Sequence, residues 1–223
     1  MARIARIKPA GQIYSVVTRV NNSDFVFADG NVCASFLKHI KEIKAELGFK
    51  LYAFVLMSTH VHLLIEPDDT AADISEIMCR INGLFAKKYN AFHKRKGHFW
   101  MQRFASKLVE MGQYFANTII YFALNPVKAG ITDNPLDYEY NSIHNIVSGK
   151  FSDLLDALPQ ACVEYIKSFL RQKNFIKILN KCKRFMRRFS FDLRKTRREQ
   201  KFRHFIGGRQ FYERCMGCSG QSC

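Results

Sequence analysis

The segment Lys50-Leu-Tyr-Ala-Phe-Val-Leu-Met-Ser-Thr-His-Val-His-Leu-Leu-Ile-Glu66 decides the architecture. Its apolar, β-branched and aromatic content reads as two strands, Lys50–Met57 and His60–Glu66, joined tightly through Ser58-Thr59. Pro67, which cannot donate to a ladder, stops the second. Side chains alternate along a strand, so Val61, Leu63 and Ile65 form one apolar row facing the helices. His60 and His62 then leave the opposite face together, about 7 Å apart along the strand. Two imidazoles so placed can hold one divalent ion, although a His-x-His pair alone is a weak signal. Glu66, Asp68 and Asp69 offer carboxylates nearby, on a chain that Pro67 turns.

Working outward, Gln12–Val20 is a β-branched and aromatic strand closed by Asn21-Asn22-Ser23-Asp24. From Asn31 to Leu47, Val32, Phe36, Leu37, Ile40 and Ile43 recur at helical spacing, and Gly48 ends the run. Asp73 can cap a helix running to Phe92 through Ile74, Ile77, Ile81, Leu84, Phe85 and Tyr89. A turn at Lys94–His98 leads to a fourth strand, Phe99–Val109, and a further helix spans Gly112–Leu124, ended by Asn125-Pro126. The order predicts an α+β fold: a ferredoxin-like, split β-α-β-β-α-β antiparallel sheet with helices on one face and the other face free for a ligand or another helix. The helix at 112–124 is an addition to it. Residues 1–147 are expected to form this domain and residues 148–223 a basic, mainly helical extension, with helices between Ser152 and Phe191.

The 223 residues are 48% hydrophobic and 13% aromatic, enough for a core and against disorder over most of the chain. No apolar run is long enough to cross a bilayer, and Met1-Ala-Arg-Ile-Ala-Arg6 lacks a signal-peptide core, so a cytoplasmic protein is expected. Seven cysteines, an odd number at irregular spacing, fit reduced thiols; the lone Cys215-Met-Gly-Cys218 pair is weak evidence for zinc. Net charge is +16, and 17 of the 35 Lys/Arg lie between Lys167 and Arg214 against three acidic residues. That concentration favours a polyanion, through counterion release. Lys183, Arg184, Arg187, Arg188, Arg194, Lys195, Arg197 and Arg198 are the expected phosphate contacts there. The interleaved phenylalanines, at roughly helical spacing, fit a core better than base stacking.

Tyr121 and Asn125 lie four apart at the end of the 112–124 helix and so share a face. Asn125 can give a metal an oxygen ligand while Tyr121 stands one turn away as a nucleophile. Breaking and rejoining a phosphodiester without a high-energy cofactor needs a covalent intermediate, and tyrosine forms a phosphotyrosine ester that a 3′-hydroxyl can later attack. A metal polarises the phosphoryl oxygens. Against this stands the ordinary role of a helix tyrosine packed in a core, and Tyr114 is a rival on the same stripe.

Three blocks carry a family resemblance: Met57-Ser-Thr-His-Val-His-Leu-Leu-Ile-Glu-Pro67, Gly97-His-Phe-Trp-Met-Gln-Arg-Phe104 and Ile120-Tyr-Phe-Ala-Leu-Asn-Pro-Val-Lys-Ala-Gly130. In order and spacing they resemble the REP-associated tyrosine transposases, of the single-tyrosine HUH superfamily. The opening Met1–Arg6, Tyr14, Thr18-Arg19, Asp137-Tyr138, Asn141-Ser142 and Phe205–Phe211 are also similar to it. The resemblance implies a metal-dependent nuclease and strand transferase acting on single-stranded DNA at hairpin-forming repeats through a 5′-phosphotyrosine, with Mg²⁺ or Mn²⁺. By position it implies His60, His62 and Asn125 as metal ligands and Tyr121 as nucleophile. Arg3, Arg6, Arg19, Arg103 and Lys128 complete the expected DNA contacts. Partner expectations are hairpin DNA, with a homodimer left open and neither membrane nor small-molecule substrate.

The chain departs from the family at Ser58-Thr59, where Pro-Asn is usual, at Ser15, where a histidine is frequent, and at Val20, where a glycine is. None of these removes a ligand or the nucleophile; they bear on the loop before the histidines and on recognition of flanking DNA. The alternatives are a non-catalytic DNA or RNA hairpin binder on the same fold, and a basic ferredoxin-like RNA-binding protein. The second of these would carry aromatic stacking positions where this chain has histidines.

Overall fold

A computed structural model describes residues 11–68, 72–150 and 153–172, together with 175, 177, 180, 205, 206 and 211. The first strand, β1 (Ile13–Arg19), leads through two short 3-10 turns to helix α1 (Gly30–Leu47). Asp29 caps α1 by accepting from the Asn31 amide at 2.8 Å, and Gly48 ends it with the left-handed φ of 64° that a side chain would strain. Strands β2 (Phe49–Met57) and β3 (His60–Pro67) follow as a hairpin, then α2 (Ile74–Phe92), capped as expected by Asp73. Strand β4 (Ala105–Val109) and helix α3 (Gln113–Ala123) come next, with one more turn, α4 (Asn125–Lys128). Helices α5 (Ile143–Ser148) and α6 (Gln160–Leu170) and a two-residue strand β5 (Phe205–Ile206) complete the described elements.

The sheet order is β2-β3-β1-β4-β5. β1 is the centre, antiparallel to β3 and β4, and β5 runs parallel to β4 at the edge. The four antiparallel strands form the predicted split arrangement. Val61, Leu63 and Ile65 join Val16, Phe54 and Leu56 in one core with α1 and α2, where Phe36 stands edge-on to Phe27 and Phe85 at 5.2 and 4.7 Å.

Helices cover both faces of the sheet: a second core unites Ala53, Val55, Met57 and Leu64 with Ile119 and Phe122 of α3 and Ile166 of α6. Of the two occupants expected for the imidazole face, a ligand or another helix, α3 is there, because it is too apolar on its inner side to remain in water. One expectation needs correcting: the fourth strand is shorter than the pattern suggested. Phe99 and Trp100 both pack into the first core, which strand alternation forbids, so pairing as a strand starts only at Ala105. Finally, β2 carries a bulge between Leu51 and Ala53. Leu51 therefore faces the first core, Tyr52 and Ala53 both face the second, and the alternation restarts with Phe54.

Candidate active site

The register Arg19↔His60 and Val17↔His62 puts both histidines beside the central strand, at the end of the sheet reached by the β2–β3 turn. Their rings lie 5.0 Å apart, edge to face. His60 is half-buried, and its Nδ1 is 3.0 Å from the Thr59 hydroxyl. His62 is 6% exposed, and neither of its ring nitrogens has a hydrogen-bond partner among the described residues. A buried polar atom left unpaired costs about 1–3 kcal/mol, so two on one side chain call for an explanation. Burial, then the charges of Arg19 and Lys128, pushes the His60 ring down to about 4. Burial, then the same neighbours and His60, takes His62 to about 3. Both rings are neutral near neutral pH, the state in which an imidazole ligates a metal.

α3 brings its C-terminal turn onto this pair. The Tyr121 ring meets His62 at 6.2 Å and 85°, while the Phe122 ring packs against it at 5.1 Å. Tyr121 is half-buried and Asn125 is buried. Pro126 supplies no amide hydrogen, so the helix cannot continue regularly past Asn125, and side chains serve the carbonyls left over. Asn125 Nδ2 donates to the Tyr121 carbonyl at 3.0 Å, which turns the amide oxygen away from the helix backbone. Asn141 Nδ2 donates to the Ala123 carbonyl at 3.0 Å. Asn141 also bridges to Val55 of β2, the register partner of His62, and its Oδ1 accepts from the Ile143 amide. One buried amide thus ties the end of α3 to the strand next to the histidines.

Of the residues singled out from the sequence, the structure brings His60, His62 and Tyr121 together, and Asn125 lies one turn on from Tyr121, bonded to its carbonyl. Arg19 and Lys128 are exposed at the rim, near enough to lower both imidazoles. Arg103 is exposed in the stretch before β4. Glu66 is not available to the site: its two oxygens are taken by Lys50 at 3.0 Å and by the Tyr52 hydroxyl at 2.6 Å. Among the described residues no group of three or more His, Cys, Asp or Glu could hold a metal, so a third ligand from among them would be of another type, such as the Asn125 amide oxygen. Arg3, Arg6, Asp69, Lys183, Arg184, Arg187, Arg188, Arg194, Lys195, Arg197, Arg198 and the Cys215/Cys218 pair lie outside the described residues. The role of Thr59 was not anticipated; its place directly before the first histidine was the available signal. Asn141 was seen only as part of a family block, with nothing local to indicate that it reaches Ala123. Among the described residues no helix is long and apolar enough to cross a membrane.

A REP-associated tyrosine transposase of Haemophilus influenzae is 27% identical over 124 residues, covering 52% of this chain and 70% of that protein. The solved structure of a REP-associated tyrosine transposase bound to a REP hairpin superposes with a TM-score of 0.59 at 18% identity. That likeness covers 72% of this chain and 93% of the other, and it concerns the fold alone. Residues 10–121, half of the chain, match the family model described as "Transposase IS200 like", and the chain belongs to that family.

Proposed function

We propose that the chain is a metal-dependent endonuclease and strand transferase for single-stranded DNA, acting at hairpin-forming repeats through a phosphotyrosine at Tyr121. The observation that carries this reading is the Tyr121 ring set edge-on against His62, a buried imidazole without a hydrogen-bond partner. An unpartnered neutral imidazole beside a second one is a donor pair in want of a cation, and the residues present fit one. His60, His62 and the Asn125 amide oxygen would hold Mg²⁺ or Mn²⁺, with Thr59 fixing which His60 nitrogen turns inward. Such an ion supplies polarisation of the scissile phosphoryl oxygens.

The remaining steps belong to the chain. Arg19 and Lys128 bind and orient the phosphate from the rim. The Tyr121 oxygen loses its proton and bonds to phosphorus, the P–O3′ bond breaks, and the departing 3′-oxygen takes up a proton. The DNA 5′-phosphate stays on the tyrosine until a 3′-hydroxyl reverses the exchange, so bond energy is conserved throughout. Support for DNA hairpins as substrate comes from the REP hairpin held by a transposase of similar fold and from the basic excess after Lys167. A homodimer is compatible with this reading and adds nothing to it.

The test is a covalent-adduct assay with labelled hairpin DNA carrying single-stranded flanks, in Mn²⁺ and in chelator. The wild-type protein should give an SDS-resistant adduct only with metal. Tyr121→Phe should abolish it and leave hairpin binding intact, while Tyr114→Phe should retain it. An adduct that survives Tyr121→Phe sinks the assignment, and hairpin binding with no adduct from the wild-type protein would leave a binding module.

A further inference from the structure

The helix that carries Tyr121 loses its regular bonding just past that residue. Pro126 has no amide hydrogen, so the Phe122 carbonyl, four residues earlier, loses the donor a helix would give it. The carbonyls on either side of it are served by side chains: Asn125 donates to Tyr121 and Asn141 to Ala123, each at 3.0 Å. Phe122 itself packs against His62 at 5.1 Å. The way this turn lies on the sheet is therefore set by packing and by two amides, and of the two Asn141 comes from a distant segment.

That segment, residues 138–142, is a strap laid along the outer edge of β2. The Leu56 amide donates to the Tyr140 carbonyl at 3.0 Å and the Ser142 amide to the Phe54 carbonyl at 3.1 Å. The Ser142 hydroxyl accepts from the Phe54 amide at 2.9 Å and donates to the Phe54 carbonyl at 3.1 Å, while the Tyr138 hydroxyl donates to the Leu56 carbonyl at 2.6 Å. These bonds hold the strap to β2 without the Asn141 side chain, which is left to reach across to α3. Asn141 stands opposite Val55, and Val55 opposite His62, so two strand spacings, about 10 Å, separate it from the buried histidine. At 2% exposed, its side chain is shut away from DNA.

We infer that Asn141 is a positioning residue for attack by Tyr121: through the Ala123 carbonyl it fixes how the end of α3 stands over His62, while touching neither DNA nor the reacting atoms. The inference rests on the nuclease reading above. In that reading the nucleophile and the imidazoles come from separate elements, α3 and β3, so their distance depends on how helix and sheet are fastened. The Asn141 bond joins the row of the sheet that contains His62 to a carbonyl two residues from Tyr121. Its oxygen accepts from the Ile143 amide at 3.1 Å, which holds the side chain in the one orientation that reaches α3. Without the amide, a polar group of the buried residue Ala123 is left unpaired, and the turn shifts to find another donor. Tyr121 moves with it.

The experiment follows adduct formation in a single turnover, with labelled hairpin DNA and Mn²⁺ at saturation, and separates amplitude from rate constant. In Asn141→Ala the rate constant should fall about 100-fold, the cost of a displacement of about 1 Å, with amplitude and hairpin affinity unchanged. Asn141→Ser, whose hydroxyl can still serve the Ile143 amide but falls short of Ala123, should share the loss and stands in if the alanine variant fails to fold. Ser142→Ala strips the Phe54 bonds from the same strap and leaves the bond to α3; it should melt lower yet react at the wild-type rate. A reduced amplitude at an unchanged rate constant makes Asn141 a purely structural residue and overturns the proposal, as does equal slowing in Ser142→Ala. A second readout needs neither metal nor DNA. The NMR shifts of the His62 ring protons, set by the Tyr121 and Phe122 rings against it, should move in Asn141→Ala and hold in Ser142→Ala. Unmoved shifts overturn the proposal. If the wild-type protein forms no adduct, the nuclease reading fails by that result, and the shifts still decide whether Asn141 sets this geometry.

Discussion

The two faces of the sheet are built from the same strands and differ in how their buried polar side chains are paired. On the α1/α2 face, Val16, Val61, Leu63 and Ile65 are fully buried under Phe36 and Phe85. Each of the polar side chains buried there keeps at least one bond: Asn82 donates to Thr18 at 3.1 Å, the Trp100 indole donates to the Asn82 carbonyl at 2.9 Å, and His39 Nε2 lies 3.1 Å from the Ile81 carbonyl, while Asn82 Oδ1 and His39 Nδ1 are left unpaired. On the α3 face, His62 is buried with neither nitrogen paired, and only part of the surface beside it is covered. Both faces bury a core, and the α3 face in addition leaves the buried His62 ring without a single bond beside ground that is only partly covered.

That contrast can be tested by changing one face at a time. The largest effect should come from Phe36→Ala, which empties a fully buried position between two aromatic neighbours. A loss of about 3–5 kcal/mol is expected in chemical denaturation. A loss under about 1 kcal/mol would show that this core is not what stabilises the domain.

Acid should act mainly on the other face. His60 and His62 have ring pKa values lowered to about 4 and about 3, against 6.5 unfolded. Between those values the unfolded chain binds protons that the folded chain refuses, so stability is full above about 6.5 and declines as pH falls toward 4 and 3. Each histidine can contribute a slope of up to about 1.4 kcal/mol per pH unit. His39, lowered by burial and then by Lys88, adds in the same direction on the α1/α2 face. Denaturation of metal-free protein across this range should be visibly flatter in a His60→Gln/His62→Gln variant. Equal slopes in the two proteins would mean that the pair does not titrate as described.

The smallest effect in stability, and the most instructive, is that of His62→Leu. Replacing an unpartnered buried imidazole by an apolar side chain of similar size should hold or raise the stability of metal-free protein, by about 1–3 kcal/mol at most. The same variant should give no covalent adduct. A clear fall in stability would recast His62 as a member of the second core, with its roofing by Phe122 a matter of packing.

Much of this was legible along the chain, for reasons that are local. Alternation in His60–Ile65 separates the imidazoles from the apolar row whatever lies around it, and four residues of helix put Asn125 beside Tyr121. Asp73 announces a helix start because its carboxylate reaches the next amides, at 2.6 and 3.1 Å. The expected fourth strand failed because Phe99 and Trp100 obey the core rather than the pleat, and no local pattern shows the bulge after Leu51.

What the sequence by itself determined is the order of the main strands and helices through α3, and the pairing of His60 with His62 and of Tyr121 with Asn125 on shared faces, since each follows from spacing within a single strand or helix. Only the tertiary structure decided that α3 lies over β2 and β3, and that Asn141 fastens its end from 18 residues away. It also decided that Glu66 is held by Lys50 and Tyr52, and that the ground beside His62 stays partly uncovered. Those outcomes depend on which apolar faces meet, a choice settled by packing between segments far apart in the chain and by no pattern within any one of them.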